Sequence, residues 1–379
     1  MKVYLDNAAT TPVAPEVADL MCTIIRDNFG NPSSTHAFGR ESKGLIENSR
    51  RSIAQKLNCK PGEIIFTSGG TEADNFAFHC AIRDLEVDRI ITSPIEHHAV
   101  LHSAEFQEIA SKKELVFVQV DNKGNIDLKD LETLLMEPKK TFVSIMHANN
   151  EIGTKIDLEK VSKLCREHGA YFHSDTVQTM GHYAFDLEKL EIDFITCAAH
   201  KLHGPKGVGF LYINKNLKLK PMIHGGSQER GMRGGTENLY GIVGMAKALD
   251  LAYEDLEGHI KHVQGLKTYM IDKLKGMHNN FEFHGEIDPE KSLYTVLNIC
   301  FPPINNSELL LLTLDLNGVA CSGGSACTSG VNTGSHVLGG INAPTGRPNA
   351  RFSFSRYTTK EEIDYALEQI QKVLDKDLI

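Results

Sequence analysis

No stretch of the 379 residues approaches the ~20 consecutive apolar residues of a membrane span. The chain opens Met1-Lys2-Val3-Tyr4-Leu5 and runs straight into Asp6-Asn7, without the apolar core of a secretory signal. The expected location is therefore the cytoplasm, away from any membrane. The eight cysteines (22, 59, 80, 165, 197, 300, 321 and 327) contain no CxxC pair. Their spacing suits neither a zinc site nor a disulfide framework, so no metal is expected. Basic charge is not in excess: 40 Lys and Arg stand against 49 Asp and Glu, a net charge of −9. That balance argues against general affinity for nucleic acid. Internal repeats and low-complexity segments are absent as well.

What remains is a globular composition, 41% hydrophobic and 23% charged, on a chain long enough for two domains. From about residue 62 to 213, short β-branched runs alternate with amphipathic helical stretches. The expected strands are 63–67, 89–92, 115–120, 141–146, 171–173, 193–197 and 208–213. Residues 157–168 read as a helix capped by Asp157 and stopped by Gly169. Alternation of this kind predicts an α/β fold: a large domain with a mostly parallel seven-stranded sheet between helices. Beyond Thr236 a long helical pattern runs to about Met277 with little turn chemistry inside it, and reads as one connecting helix. Strands at 281–284, 294–300 and 351–355, a helix at 307–317 and a last helix with the capping box Thr359-x-x-Glu362 predict a smaller α+β domain.

Several segments could carry chemistry. Lys201 follows a strand in the glycine-rich turn Ala199–Gly207. A desolvated lysine there could form an imine with an aldehyde, although a lone lysine is most often a surface residue. Asp175 ends a strand, where ligands bind in open α/β sheets, and could pair with a pyridinium nitrogen; alone it is more often a turn or cap residue. Phe66–Asn75 reads strand, Gly69-Gly70-Thr71 turn, helix, which suits a phosphate. His97, in Glu96-His97-His98-Ala99-Val100, could stack on a flat cofactor or shuttle a proton, but it is one of 17 histidines. The segment Ala320–Gly330 is too rich in Gly, Ser and Thr to pack as a core element and reads as a loop carrying Cys321 and Cys327.

Taken together, these pieces resemble the NifS/IscS-type cysteine desulfurases, pyridoxal-phosphate enzymes of the class V aminotransferase group. The resemblance runs from Tyr4–Pro12 and Phe29–Ser34 through Thr67–Asn75, Glu96–Val100, Met146–Gly153, His173–Asp175 with Gln178, His200-Lys201 and Arg230–Thr236. It ends at Gly324–Gly330 and Arg351–Ser353. It implies that Lys201 holds pyridoxal 5′-phosphate as a Schiff base and later removes the substrate α-proton. Asp175 pairs with the ring nitrogen, Gln178 and Asn150 sit near the ring hydroxyl, and His97 stacks on the ring. Gly70, Thr71 and His200 hold the phosphate, joined by Thr236 from the other subunit of a homodimer. Arg351 clamps the substrate carboxylate, with Asn150 and Asn31 nearby. Cys327, as thiolate, attacks the sulfur of L-cysteine, forming a persulfide and releasing alanine. Catalytic roles thus fall to Cys327, Lys201 and His97.

The resemblance places the large cofactor-binding domain at 15–255 and the small domain, with the cysteine loop, at 1–14 and 256–379. One departure stands out: Ala198 replaces a serine that often contacts the phosphate, so weaker cofactor binding is expected. Cys321 is expected to be a dispensable residue at the loop base. The sulfur acceptor stays open between an iron–sulfur scaffold and a tRNA-thiolation enzyme. IscS-type enzymes dock their scaffold with a C-terminal extension, whereas this sequence runs to Ile379 just after the final helix. Rival readings are a selenocysteine lyase or another class V enzyme, which needs no Cys327, and a scaffold that has lost its cofactor.

Overall fold

The structure, a computed structural model, describes residues 1–323, 334–344 and 346–377. Its strands are β1 (Val3–Tyr4), β2 (Ile64–Thr67), β3 (Arg89–Thr92), β4 (Glu114–Phe117), β5 (Thr141–Ser144), β6 (Tyr171–Asp175), β7 (Phe194–Ala198), β8 (Gly209–Ile213), β9 (Glu282–His284), β10 (Val296–Cys300), β11 (Val319–Ala320) and β12 (Asn349–Ser353). The helices are α1 (Pro15–Asp27), α2 (Ala37–Lys56), α3 (Gly70–Arg83), α4 (His98–Ser111), α5 (Leu128–Leu135), α6 (Leu158–Glu167), α7 (Leu239–Glu254), α8 (Leu256–Met277), α9 (Leu310–Leu316), α10 (His336–Gly340) and α11 (Lys360–Asp377).

Seven strands form one sheet in the order β2-β8-β7-β6-β5-β3-β4. Only β8 runs against its neighbours, so β2, β3, β5, β6 and β7 all point their carboxyl ends to the same edge. Their side chains are buried on both faces, apart from half-buried Tyr171. That is why the strands read as continuous Ile/Val/Phe runs and not as alternating ones. Ile46, Ile53, Val161 and Ile242, from α2, α6 and α7, pack on one face. Phe76, Ala77, Val100 and Ala104, from α3 and α4, pack on the other. This is the expected α/β architecture.

A separate core gathers Val3 and Leu5 with residues 263–374. There β9, β10 and β12 form an antiparallel sheet, and β1 pairs in parallel with β11. The Asp157 cap and the left-handed Gly169 (φ +66°) bound α6 as expected. The single long helix after Thr236 is corrected: the chain breaks at Asp255 into α7 and α8. Asp255 leaves helical geometry (φ −138°, ψ 54°), and its carboxylate caps the Gly258 N–H at 3.2 Å. Among the described residues no helix is long and apolar enough to cross a membrane.

Candidate active site

The sheet edge that collects five strand ends also holds a cavity of about 260 Å³. Asp175 ends β6; Ala198 ends β7 and leads through a single helical turn to Lys201. The β2–α3 turn supplies Gly70 and Thr71, the loop after β3 supplies His97, and the loop after β5 supplies Asn150. Ligand sites of open α/β sheets sit at such strand ends. A larger groove of about 990 Å³ opens elsewhere, around α6 and the 183–191 loop. Two of its lysines are paired with neighbouring acids, Lys160 with Asp157 (2.9 Å) and Lys189 with Asp186 (2.7 Å), and Lys155 lies over the Tyr183 ring. Buried polar groups converge instead on the smaller cavity, which is the better candidate.

Asn149 ties two of the site loops together. Its Oδ1 accepts the N–H groups of Glu151 (2.8 Å) and Ile152 (3.0 Å), while Nδ2 donates to the Ile95 carbonyl (2.7 Å). Asn150 and His97 are thereby held at fixed separation. At the β2–α3 turn, Gly69 has φ +156° and ψ −174°, a region essentially reserved for glycine. A Cβ on Gly70 would meet Val177 at 2.8 Å. No side chain caps α3, so its first-turn N–H groups remain available to an anion.

Lys201 donates from Nζ to the carbonyls of Ala8 (2.5 Å) and Ala9 (2.7 Å). Gln178 donates to the same Ala8 carbonyl at 3.0 Å. Asp175 is 6% exposed and takes the Val177 N–H at 2.8 Å. Burial, then the Asp74 carboxylate, raise its pKa to about 7. His97 caps α4, with Nδ1 accepting the Ala99 N–H at 3.1 Å. Burial first, then Lys201, pull it down to about 4. The imidazole is therefore neutral, and with Nδ1 engaged as acceptor, Nε2 carries the proton. His200, bonded to the Thr10 hydroxyl at 3.1 Å, is held neutral in the same way.

Arg351, on β12, is 1% exposed. It reaches the cavity with one guanidinium nitrogen on the Asn150 carbonyl and another on Asp6, each at 2.8 Å. The small sheet thus delivers a cation to the edge of the large one. Of the residues singled out in the sequence, Gly70, Thr71, His97, Asn150, Asp175, Gln178, His200, Lys201 and Arg351 share this cavity. Two do not. Thr236 is exposed in a separate cleft beside Ser68 and Arg233, and Asn31 is exposed, folded onto the Ser33 N–H. Cys327 lies outside the described residues. Cys321 is half-buried against the small core, and burial pushes its thiol up to about 12.

Four acids at the site went unread in the sequence. Asp6 braces Arg351, while Asp74, Glu96 and Glu151 are buried around the cavity. All four stood inside quoted motifs, but nothing in a motif tells a buried acid from an exposed one.

Comparison with known proteins agrees with this geometry. The family model described as Aminotransferase class-V matches residues 3–366. A cysteine desulfurase IscS of Dictyoglomus turgidum is 42% identical over 99% of this chain and 95% of its own length. A solved NifS-like protein superposes with a TM-score of 0.91 at 36% identity, covering 99% of this chain and all of that one. A structure described as SspA in complex with cysteine gives 0.80 at 32% identity, over 94% and 100% of the two chains. With nearly every residue inside the match, the chain belongs to the class V aminotransferase family and, within it, to the NifS/IscS-type cysteine desulfurases.

Proposed function

We propose that this cysteine desulfurase holds pyridoxal 5′-phosphate at Lys201 and converts L-cysteine to L-alanine. Cys327 would receive the sulfur as a persulfide and pass it to an acceptor protein, an iron–sulfur scaffold or a tRNA-thiolation enzyme. The observation that carries this reading is the cavity's donor set: a lysine amine, a buried aspartate, a neutral flat histidine and an uncapped helix N-terminus around one space. Each fits one part of the cofactor: aldehyde, ring nitrogen, ring face and phosphate. A relative of this fold was solved with cysteine bound, which supports the substrate assignment.

Bound there, the cofactor supplies an aldehyde for Lys201 and a ring that stores the electron pair released at the substrate α-carbon. The protein's part is positioning and proton transfer. Asp175, as the anion, keeps the ring nitrogen protonated. Neutral His97 can lie flat on the ring without repelling it, and donates from Nε2. Arg351 takes the substrate carboxylate in its planar fork, with Asp6 and the Asn150 carbonyl fixing the fork's plane. The Lys201 amine, once displaced, removes the α-proton at Cα. Cys327 would attack Sγ as thiolate: the S–S bond forms, the Cβ–Sγ bond breaks with its electron pair left on carbon, and the skeleton takes two protons, at Cβ and at Cα, in place of those lost by Cα and the Cys327 thiol, and leaves as alanine.

Thr236 faces away from the cavity of its own chain, which supports a homodimer where Thr236 of the partner subunit completes the phosphate cup. The proposed location is the cytoplasm. The experiment is spectroscopic and chemical. Lys201→Ala should lose both the cofactor's imine absorbance and alanine formation. Cys327→Ala should keep the absorbance and lose persulfide; persulfide made at the normal rate would refute the role of Cys327.

A further inference from the structure

Asp74 sits in the second turn of α3, is 1% exposed and lines the cavity beside Asp175. Its Oδ1 has no hydrogen-bond partner. The nearest basic atom is His173 Nε2 at 3.4 Å, but that ring is committed elsewhere. His173 contacts the Ser144 hydroxyl through Nδ1 (2.8 Å) and the Thr196 hydroxyl through Nε2 (3.1 Å). Burial pulls His173 down to about 4, so it offers Asp74 no positive charge.

The other groups around Asp74 come from three further elements. Glu96, fully buried after β3, accepts the Ser93 hydroxyl (2.6 Å) and the Met146 N–H (2.9 Å). Burial and the charges of Asp175 and Asp74 hold its carboxyl well above the usual range. The Cys197 thiol on β7 is pushed up by burial and by Asp175, and stays protonated. Two groups favour the Asp175 anion, His173 and Lys201; with His173 neutral, Lys201, beyond β7, is the cation of the two. Three buried acids thus share one nearby amine. A dry pocket cannot hold three like charges against one cation, so a single carboxylate is the stable count. Asp175 is the best placed to be that anion: it has a backbone N–H donor and the favourable field of Lys201. Asp74 has neither, and burial raises it to about 7 against the pull of the Thr196 hydroxyl.

We infer that Asp74 is a positioning residue for Asp175: as the neutral acid of a buried carboxyl pair, it leaves Asp175 to meet a pyridinium nitrogen as the anion. The inference rests on the cofactor reading above. Protonated Asp74 can donate to Thr196, which donates onward to His173 Nε2; His173 then carries its proton on Nδ1 and donates to Ser144. The proton on Asp74 so fixes the tautomer of the histidine beneath the site.

The test uses full-length protein stripped of cofactor and titrated with pyridoxal phosphate from pH 5.5 to 8.5, following the visible absorbance. If wild type gains no absorbance, the cofactor reading itself fails. Given binding, Asp74→Asn mimics the neutral acid. It should keep the dissociation constant within about threefold of wild type at pH 8. The acid-side midpoint of binding should stay within about 0.3 pH unit of wild type, because Asp74 is already neutral where Asp175 ionises. Weakening beyond threefold at pH 8, or a midpoint lower by about one unit, would overturn the inference, the second because it would show that Asp74 is charged beside Asp175. Infrared spectra of loaded wild-type protein with carbon-13-labelled aspartate separate this role from mere space-filling at pH 7, and they decide as well should Asp74→Asn not fold. A carbonyl stretch of a protonated aspartic acid is expected, and its absence rules the inference out.

Discussion

At the scale of single residues, the site depends on side chains that brace the ones touching ligand. Arg351 owes its orientation to Asp6, 345 residues away in sequence, through a 2.8 Å ion pair that is almost fully enclosed on the arginine side. Asp6→Asn should leave cofactor absorbance intact and raise KM for cysteine by about tenfold, the equivalent of ~1.4 kcal/mol. Steady-state kinetics beside a spectrum of the resting enzyme separate this from a folding defect. Ala198 offers the converse prediction. It lines the cavity where a serine hydroxyl could meet a phosphate. Ala198→Ser should add one hydrogen bond of about 1 kcal/mol and tighten pyridoxal phosphate roughly fivefold in equilibrium titration. Cys321→Ala should leave desulfuration near wild type, since a thiol raised to about 12 by burial supplies almost no thiolate at neutral pH. The sequence disclosed residues that meet ligand because their chemistry comes in recognisable local strings. Asp6, Asp74 and Glu96 were not legible: their roles come from burial and from partners in other strands, and no local string encodes either.

At the scale of elements, local signals served where a side chain acts on its own neighbourhood. The box at Thr359 forms both of its bonds: the Thr359 N–H reaches Glu362 at 2.9 Å, and the Thr359 hydroxyl takes the Glu362 N–H at 3.2 Å. Thr359→Ala should cost about 1 kcal/mol, read as a lower urea midpoint with unchanged slope. Strand positions were legible to within a few residues, because a buried parallel sheet demands uninterrupted β-branched runs. The break at Asp255 was not. Nothing in Tyr253-Glu254-Asp255-Leu256 is a helix breaker, and the interruption falls where the chain passes from the large core to the small one. The strand β1 also went unread, since two residues gain strand geometry only by pairing with β11, more than 300 positions later.

At the scale of the molecule, the two cores suggest that 15–255 and 1–14 with 256–379 form separate domains; we propose this division and expect limited proteolysis to cut first near Asp255. The sharper prediction concerns acid. Burial holds His97, His173, His182, His200, His203 and His284 down to about 4 and His147 to about 3. In the unfolded chain each would take a proton near pH 6.5. Between pH 6.5 and 4 the unfolded state therefore binds more protons at these seven positions, and stability must fall as pH falls. The carboxyls of Asp74, Glu96, Glu151, Asp175, Asp193 and Glu237 act in the opposite sense, because their raised folded values make the native state the better proton binder above about pH 4. His79, His98 and His259 are lowered as well, so ten histidines stand against six carboxyls and remain in control. The urea midpoint of cofactor-free protein should drop steadily from pH 7 to pH 5, by roughly 1.4 kcal/mol per pH unit for each net proton. Asp74→Asn should steepen that drop, because it removes one of the opposing groups. A midpoint that held level or rose on acidification would mean that the buried histidines are already charged in the native state, and His97 could not then lie as a neutral ring against the cofactor.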